Sequence, residues 1–279
     1  MLQITSPVVS VEWLYKNINA ENLIVLDGTI KKVTATEVHK TEKKQIPNSI
    51  FFDLKGVFLN KEGQYPNTIP EEAYFEEKVQ ELGINEDSCI VVYDDLGIYS
   101  AARVWWLFKT FGFQNIAVLN GGFPAWEKEG YVTEFPVEKK LKKGSFKATF
   151  IPSKFTNFHE VRINIDSQQF CAVDARSEGR FTAKEPEPRK DLEGGHIPNS
   201  KNLPFTVVQQ DGKMKPKEEL IELFNKVNSE HKDYIFTCGS GITACILALA
   251  LEITGKTNYA VYDGSWTEWA SIKDLPIEK

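Results

Sequence analysis

Cys238 is the residue whose type and surroundings point most directly to chemistry. It stands in residues 237–255, TCGSGITACILALALEITG, where a short apolar run ends and a small-residue loop leads into an apolar segment. Glycines let successive backbone N–H groups of such a loop turn toward one point, and the N-terminus of a following helix favours negative charge there. Because these surroundings favour a thiolate, we expect a nucleophilic sulfur that attacks or carries another sulfur atom.

The predicted catalytic site is the whole loop from the cysteine to the start of the helix. Its glycines supply the curvature, and its two hydroxyl side chains add hydrogen-bond donors. The residues are Cys238, Gly239, Ser240, Gly241, Ile242 and Thr243. The alternative interpretation of the cysteine is a small buried core residue, which is the interpretation favoured for Cys89, Cys171 and Cys245.

A cysteine loop before a helix also occurs in cysteine phosphatases, so phosphoryl transfer has to be considered. That chemistry needs an arginine six residues after the cysteine to clamp the phosphoryl oxygens. The corresponding residue here is Ala244. Phosphoryl transfer therefore loses a main source of transition-state stabilisation and is not favoured.

The composition is that of a globular protein with interspersed charges. The 279 residues are 42% hydrophobic and 26% charged, with a formal net charge of −6, which argues against nucleic acid or an anionic membrane as the main partner. The N-terminal residues lack a secretory signal pattern, and no apolar run reaches the length of a spanning helix. Four cysteines without C-x-x-C spacing do not form a disulfide framework. We expect a cytoplasmic protein without a bound metal or organic cofactor.

Short apolar runs alternate with amphipathic segments along the chain. The predicted strands are residues 22–28, 88–95, 115–122, 169–176, 233–239 and 258–264, and helical patterns cover 70–83, 101–112 and 217–228. Continuous apolar strands separated by helices indicate a mainly parallel sheet covered on both faces. The predicted fold class is therefore α/β.

The two halves of the chain resemble each other in four segments that follow the same order. These pairs are 45–54 with 196–205, 24–28 with 172–176, 91–102 with 235–246, and 121–126 with 264–269. Such a repeat indicates two copies of one domain. We place the first at 1–135, a lysine-rich linker at 136–158 and the second at 159–279. In this alignment we pair Cys238 with Asp95, so the first copy is expected to be catalytically inactive.

Several of these motifs together resemble the two-domain rhodanese family over nearly the whole chain. They are the tandem halves, CGSGITA after a strand, VDARSEGRF, EPEPR and GGHIPNS. The resemblance implies tandem rhodanese-like domains, each with a mainly parallel sheet flanked by helices. It also implies that the cysteine of the second copy accepts a sulfane sulfur, becomes a persulfide and passes the sulfur to an acceptor nucleophile.

Within that family, members that use thiosulfate carry basic residues after the cysteine, whereas members that use mercaptopyruvate carry Cys-Gly-Ser-Gly, as this chain does. The resemblance therefore implies a 3-mercaptopyruvate donor, with thiosulfate as the alternative. It implies that Arg180 and Arg189 hold the carboxylate and keto oxygen of the donor, a task that suits the planar guanidinium. The expected acceptor is a small thiol, a thioredoxin-like protein or cyanide.

The chain departs from the family pattern at two positions. An aspartate and a histidine of the first domain have been proposed to relay protons through the loop serine, but Lys55 and Asn67 stand at those positions here. Neither side chain can act as the proposed partner. Because one copy lacks the thiol, a tandem scaffold that acts by protein binding is a further alternative, and the intact Cys238 loop argues against it.

Overall fold

The computed structural model describes residues 1–30, 43–138 and 140–279. The chain divides into two compact units, and the division does not follow the predicted domain boundaries throughout. The first unit is Met1–Leu59, Pro70–Phe150 and Asp211–Lys213, and the second is Asn60–Ile69, Ile151–Gln210 and Met214–Lys279. Residues 60–69 (the 60–69 segment) therefore belong to the second unit, although they precede most of the first in the chain.

The predicted linker is not a free connection between the units. Its residues up to Phe150 cluster with the first unit, and the remainder clusters with the second. Phe146 is fully buried, and the Gly144 N–H donates to the carbonyl oxygen of Gln80 at 2.8 Å. Phe146 is buried while Lys143 and Lys147 on either side of it are exposed, so this stretch packs on the first unit with its charges in water.

The first unit is built around a five-stranded parallel sheet with the strand order β1-β5-β4-β2-β3. Its strands are β1 Val8–Val9, β2 Leu23–Asp27, β3 Ile50–Phe51, β4 Cys89–Tyr93 and β5 Ile116–Leu119, and its helices are α1 Val11–Asn17, α2 Glu72–Glu81, α3 Ala101–Thr110 and α4 Gly122–Lys128. Every residue of β4 and β5 is buried, as expected for strands covered on both faces.

The second unit repeats the same architecture with the strand order β6-β12-β11-β7-β8, again parallel. Its strands are β6 Phe155–Thr156, β7 Cys171–Asp174, β8 Lys201–Asn202, β11 Tyr234–Thr237 and β12 Tyr259–Tyr262, and its helices are α5 Phe158–Ser167, α6 Glu178–Phe181, α7 Lys217–Val227, α8 Ala244–Ile253 and α9 Ser265–Trp269. Two further short strands, β9 Gln209–Gln210 and β10 Lys213–Met214, pair with each other.

The six predicted strands and three predicted helices are present, so the α/β prediction is confirmed. The repeat also extends to small details. Asn48 and Asn199, in the two IPNS motifs, both adopt left-handed backbone geometry, with φ of 63° and 62°. In the same motifs Ser49 and Ser200 each donate to the carbonyl oxygen three residues earlier at 2.6 Å. Two copies of one domain explain this agreement.

The pairing of Cys238 with Asp95 is wrong by one residue. Strand β4 ends at Tyr93 and β11 ends at Thr237, so the residue that directly follows each strand is Asp94 in the first unit and Cys238 in the second. Asp95 lies one residue further along the loop. The inference that the first copy lacks the thiol still holds, because a carboxylate stands at the corresponding position.

In the first unit, the side chain of Asp94 occupies its own loop. The fully buried carboxylate accepts hydrogen bonds from the backbone N–H groups of Leu96, Tyr99 and Ala101, at 2.9, 2.6 and 2.9 Å. Burial raises the pKa of Asp94, and these N–H donors oppose the rise. The N–H groups of the first copy of the loop are therefore directed at a carboxyl group of their own chain.

No helix in the described part of the chain is long and apolar enough to cross a membrane.

Candidate active site

Cys238 lies at the carboxyl end of the central strand of the second sheet. It directly follows β11, which is flanked by β12 and β7, and α8 begins six residues later at Ala244. Gly241 has a φ of +76°, a geometry that favours glycine, so the chain can turn from strand to helix within this loop. The Cys238 thiol is free and only 1% exposed. Crevices at the carboxyl ends of parallel strands are the usual ligand sites of α/β sheets.

Ser265, the first residue of α9, holds the loop from one side. Its Oγ accepts hydrogen bonds from the N–H groups of Cys238 and Gly241, both at 3.2 Å. The same Oγ lies 2.7 Å from the carbonyl oxygen of Tyr262 and 3.9 Å from the Sγ of Cys238. One buried hydroxyl thus fixes two backbone positions of the loop and can donate its hydrogen to Tyr262 or to the sulfur.

The next residues of α9 bind the carbonyl groups of the same loop. The Trp266 N–H donates to the carbonyl oxygen of Cys238 at 2.9 Å. Thr267 donates to the carbonyl oxygen of Gly239 twice, from its N–H at 3.0 Å and from its Oγ1 at 2.6 Å. Because these contacts satisfy the carbonyl groups of the first two loop residues, α9 helps to set the conformation of both.

Other N–H groups of the loop remain available to an anion. The N–H groups of Ser240, Ile242 and Thr243 donate to no protein acceptor among the described residues. Three such donors within one short loop, followed directly by the start of α8, form the kind of surroundings that bind negative charge. Fewer N–H groups of the loop are available to an anion than predicted, because Ser265 accepts those of Cys238 and Gly241.

Arg180 lies against this loop. It is on the short helix α6, which Ser177 caps by accepting from the Arg180 N–H. A Cβ added to Gly239 would lie 3.0 Å from the Arg180 Nη2, which shows how closely the guanidinium approaches the loop backbone. The guanidinium also donates to Glu187 in two places, from Nε at 3.1 Å and from Nη2 at 2.5 Å. Since five N–H donors are present, others remain for a ligand.

Glu187 joins Arg180 to a second, buried arginine. Arg176 is bound to Asp174 through Nε and Nη2, donates to Glu187 from Nη1 at 2.8 Å, and stacks on the ring of Trp266 at 4.3 Å. Burial alone would lower the pKa of Arg176, but the two carboxylates raise it, so the guanidinium stays charged. This network braces α6 and α9, the two helices that contact the Cys238 loop.

Three further residues were singled out from the sequence. Arg189 is half-buried, and the Leu192 N–H donates to its carbonyl oxygen; its substrate role stays a prediction. Lys55 is exposed in a turn of the first unit. Cys245 is buried on α8, and its thiol donates to the Gly241 carbonyl oxygen at 3.3 Å.

Asn67 reaches the catalytic loop. It belongs to the 60–69 segment and is 6% exposed. Its Nδ2 lies 2.7 Å from the carbonyl oxygen of Ser240 and 3.1 Å from the Ser240 Oγ. Sequence reasoning gave this residue no role because an amide cannot relay a proton, yet the structure brings it into direct contact with the loop serine.

Sequence reasoning missed Ser265 and Glu187 as parts of the site. The alignment of residues 121–126 with 264–269 contained a signal for Ser265, because it sets this serine opposite Gly122 and so marks a hydroxyl that the first copy lacks. Glu187 lies two residues before Arg189 in the EPEPR motif, from which only the arginine was singled out. Its contacts depend on how the chain folds back, which spacing alone does not reveal.

Together, the fold and site define an α/β protein with two copies of one domain, one of which carries a buried cysteine in an anion-binding loop. The family model for the rhodanese-like domain matches residues 10–129 and 158–272. The chain therefore belongs to the family of proteins built from rhodanese-like domains.

Named relatives cover nearly the whole chain. A thiosulfate/3-mercaptopyruvate sulfurtransferase of Arabidopsis thaliana is 37% identical over 98% of this chain and 78% of its own length. Thiosulfate sulfurtransferase of Bos taurus is 39% identical over 94% of this chain and 91% of its own. The crystal structure of SseA from Escherichia coli, described as a 3-mercaptopyruvate sulfotransferase, matches with a TM-score of 0.84 and 30% identity, covering 94% of this chain and 99% of SseA.

Proposed function

We propose that this protein is a sulfurtransferase that takes a sulfane sulfur from 3-mercaptopyruvate through a persulfide on Cys238. The observation that carries this proposal is the uncharged Cys-Gly-Ser-Gly loop with the Arg180 guanidinium lying against Gly239. An arginine with spare donors suits the carboxylate and carbonyl of a keto acid. The N–H groups of Ser240, Ile242 and Thr243 suit the sulfur anion.

The donor step moves one sulfur atom and releases pyruvate. The Cys238 thiolate attacks the sulfur of 3-mercaptopyruvate, an S–S bond forms, and the C–S bond breaks with its electron pair going to carbon. Arg180 stabilises the enolate of pyruvate that this leaves. The enolate then takes the proton of the new persulfide, so that pyruvate departs and Cys238 carries an anionic outer sulfur.

The acceptor step returns the cysteine to its starting state. A thiol gives its proton to solvent, its thiolate attacks the outer sulfur, and the Cys238 thiolate leaves. The acceptor then carries the persulfide, and cyanide can take the same sulfur as thiocyanate. We propose a small thiol or a thioredoxin-like protein as acceptor. The cytoplasmic location expected from the cysteine content remains a prediction.

Thiosulfate is the second candidate donor. The bovine relative, at 39% identity, is named a thiosulfate sulfurtransferase. Against it stands the charge of the loop, since thiosulfate is a dianion and the Cys-Gly-Ser-Gly loop contains no basic residue. Charge complementarity of this kind decides between related ligands.

The test is a comparison of kcat/KM for 3-mercaptopyruvate and thiosulfate with one thiol acceptor in excess. The Cys238→Ser protein serves as the blank. We expect a strong preference for 3-mercaptopyruvate and no turnover in the blank. A preference for thiosulfate would make the second candidate correct, and activity with neither donor would favour a scaffold that acts by protein binding.

A further inference from the structure

Asn67 is held in place by its own segment. The Asn60 N–H donates to the carbonyl oxygen of Thr68 at 2.8 Å, and the Ile69 N–H donates to the Asp263 Oδ2 at 2.7 Å. Asn67 itself has a φ of +63°, a left-handed geometry that asparagine tolerates better than most residues. A buried residue in this geometry, followed directly by two anchored residues, has little freedom to move.

The direction of its hydrogen bonds is fixed by the chemistry of the acceptor. The carbonyl oxygen of Ser240 can only accept, so the nitrogen end of the Asn67 amide must face it. The same NH₂ group then donates its second hydrogen to the Ser240 Oγ. Asn67 therefore uses both hydrogens on one loop residue, one on its backbone and one on its side chain.

This arrangement determines what the hydroxyl of Ser240 can do. An Oγ that accepts from Asn67 keeps its own hydrogen for another acceptor, and accepting a hydrogen bond strengthens the one that it donates. Ser240 is itself buried, two residues beyond Cys238 in the loop. The acceptor that the proposed reaction brings into this loop is an anionic sulfur or the donor's oxygen.

We propose that Asn67 is a positioning residue that makes Ser240 a fixed hydrogen-bond donor to the reacting group bound at Cys238. A neutral amide takes up no proton, so Ser240 stabilises charge here and does not relay a proton. This inference rests on the proposed sulfur transfer. It explains how the loop serine contributes without a titrating partner at position 67.

Asn67→Asp is the sharpest test because it has nearly the same shape and reverses the hydrogen bonds. An aspartate cannot donate to the Ser240 carbonyl, and it accepts the hydrogen of the Ser240 hydroxyl. The matched control is Asn60→Asp, which adds the same charge to the same segment. It keeps its local contact, because the Asn60 Oδ1 already accepts from the Glu62 N–H. We expect kcat to fall at least about tenfold in Asn67→Asp, with KM changing less, and to stay within about twofold of wild type in Asn60→Asp.

A double-mutant cycle separates positioning from general destabilisation. Asn67→Gly keeps the left-handed backbone and removes the amide, and Ser240→Ala removes the hydroxyl. If Asn67 acts through Ser240, the double variant loses no more than about twofold in kcat beyond Ser240→Ala alone. The inference would be overturned if the kcat losses of Asn67→Gly and Ser240→Ala multiplied in the double variant. Equal kcat values for Asn67→Asp and Asn60→Asp would also overturn it.

All rates are compared with wild type using one donor that the wild type turns over. A wild type without activity would contradict the proposed function. An active wild type whose Asn67 variants behave like the control would contradict only the role of Asn67.

Discussion

Ser265 shows at the level of one residue how the two copies of the domain have diverged. Its φ is +50°, close to the +55° of Gly122, its counterpart in the first unit. A left-handed conformation is easy for glycine and costs a serine about 1 kcal/mol. In the second copy, the strained residue is the one whose hydroxyl accepts the N–H groups of Cys238 and Gly241. Backbone strain kept at such a place points to function.

Two variants of Ser265 separate its hydroxyl from its backbone. Ser265→Ala and Ser265→Gly both leave the N–H groups of Cys238 and Gly241 without their acceptor, so both are expected to lose roughly tenfold in kcat. Ser265→Gly relieves the strained backbone and should be about 1 kcal/mol more stable than Ser265→Ala in urea unfolding. Ser271→Ala, which removes a hydroxyl bonded to Thr267, is the control. Wild-type kcat in both Ser265 variants would remove the assigned role.

Arg180→Ala is expected to weaken binding of the keto acid. The variant removes charge-assisted hydrogen bonds, so KM for 3-mercaptopyruvate should rise roughly tenfold to a hundredfold, and much more than KM for thiosulfate. Glu187 keeps its bond to Arg176, so the fold should persist. Arg162→Ala, at an exposed pair with Asp166 on α5, is the control. Equal changes of KM for the two donors would contradict the assigned role.

At the scale of the secondary-structure elements, α9 is the helix that shapes the catalytic loop. Its first three residues bind the loop through Ser265, Trp266 and Thr267. On the same helix, burial raises the pKa of Glu268, and the nearby Asp263 raises it further. The helix therefore contains one carboxylate whose ionisation opposes folding.

Glu268→Gln is expected to make the protein more stable than wild type at alkaline pH. Because the pKa is higher in the folded state, wild type loses stability as pH rises from the unfolded pKa through the folded one. Glutamine has no such titration, so the gain in the urea midpoint should be larger at pH 8 than at pH 4. The exposed Glu222→Gln on α7 is the control. The same difference at both pH values would contradict the explanation.

The sequence predicts the six longer strands and three of the helices, but it does not predict the two-residue strands, helices such as α1 and α5, or the contacts between elements. Strands such as β4 and β11 are continuous apolar runs, so composition alone reveals them. Helix α6 was not predicted, because four residues with a polar face show no period. The alignment of the two halves paired Cys238 with Asp95 instead of Asp94. These two aspartates are consecutive, so the sequence alone could not show which of them corresponds to the cysteine. Ser265 lies 27 residues from Cys238, so only folding shows their contact.

At the scale of the whole molecule, the two units share one fold but differ in the residue that follows the central strand. In the first, Asp94 fills the loop with its own carboxylate and uses the N–H groups that could bind a ligand. In the second, the equivalent residue is Cys238, and the N–H groups of Ser240, Ile242 and Thr243 donate to no protein acceptor among the described residues. We therefore expect one sulfur-carrying site in the protein, and that site is in the second unit.

The most direct measurement is the mass of the protein after exposure to 3-mercaptopyruvate without an acceptor. The account predicts a gain of one sulfur atom, located by peptide mapping on Cys238, lost on addition of a thiol and absent in Cys238→Ser. Cys245→Ser, the control on α8, should gain the sulfur like wild type. Burial raises the pKa of Cys89 to about 11, so this thiol should stay unmodified. Sulfur on any other cysteine, or no gain in mass with a protein that turns over the donor, would contradict the persulfide on Cys238.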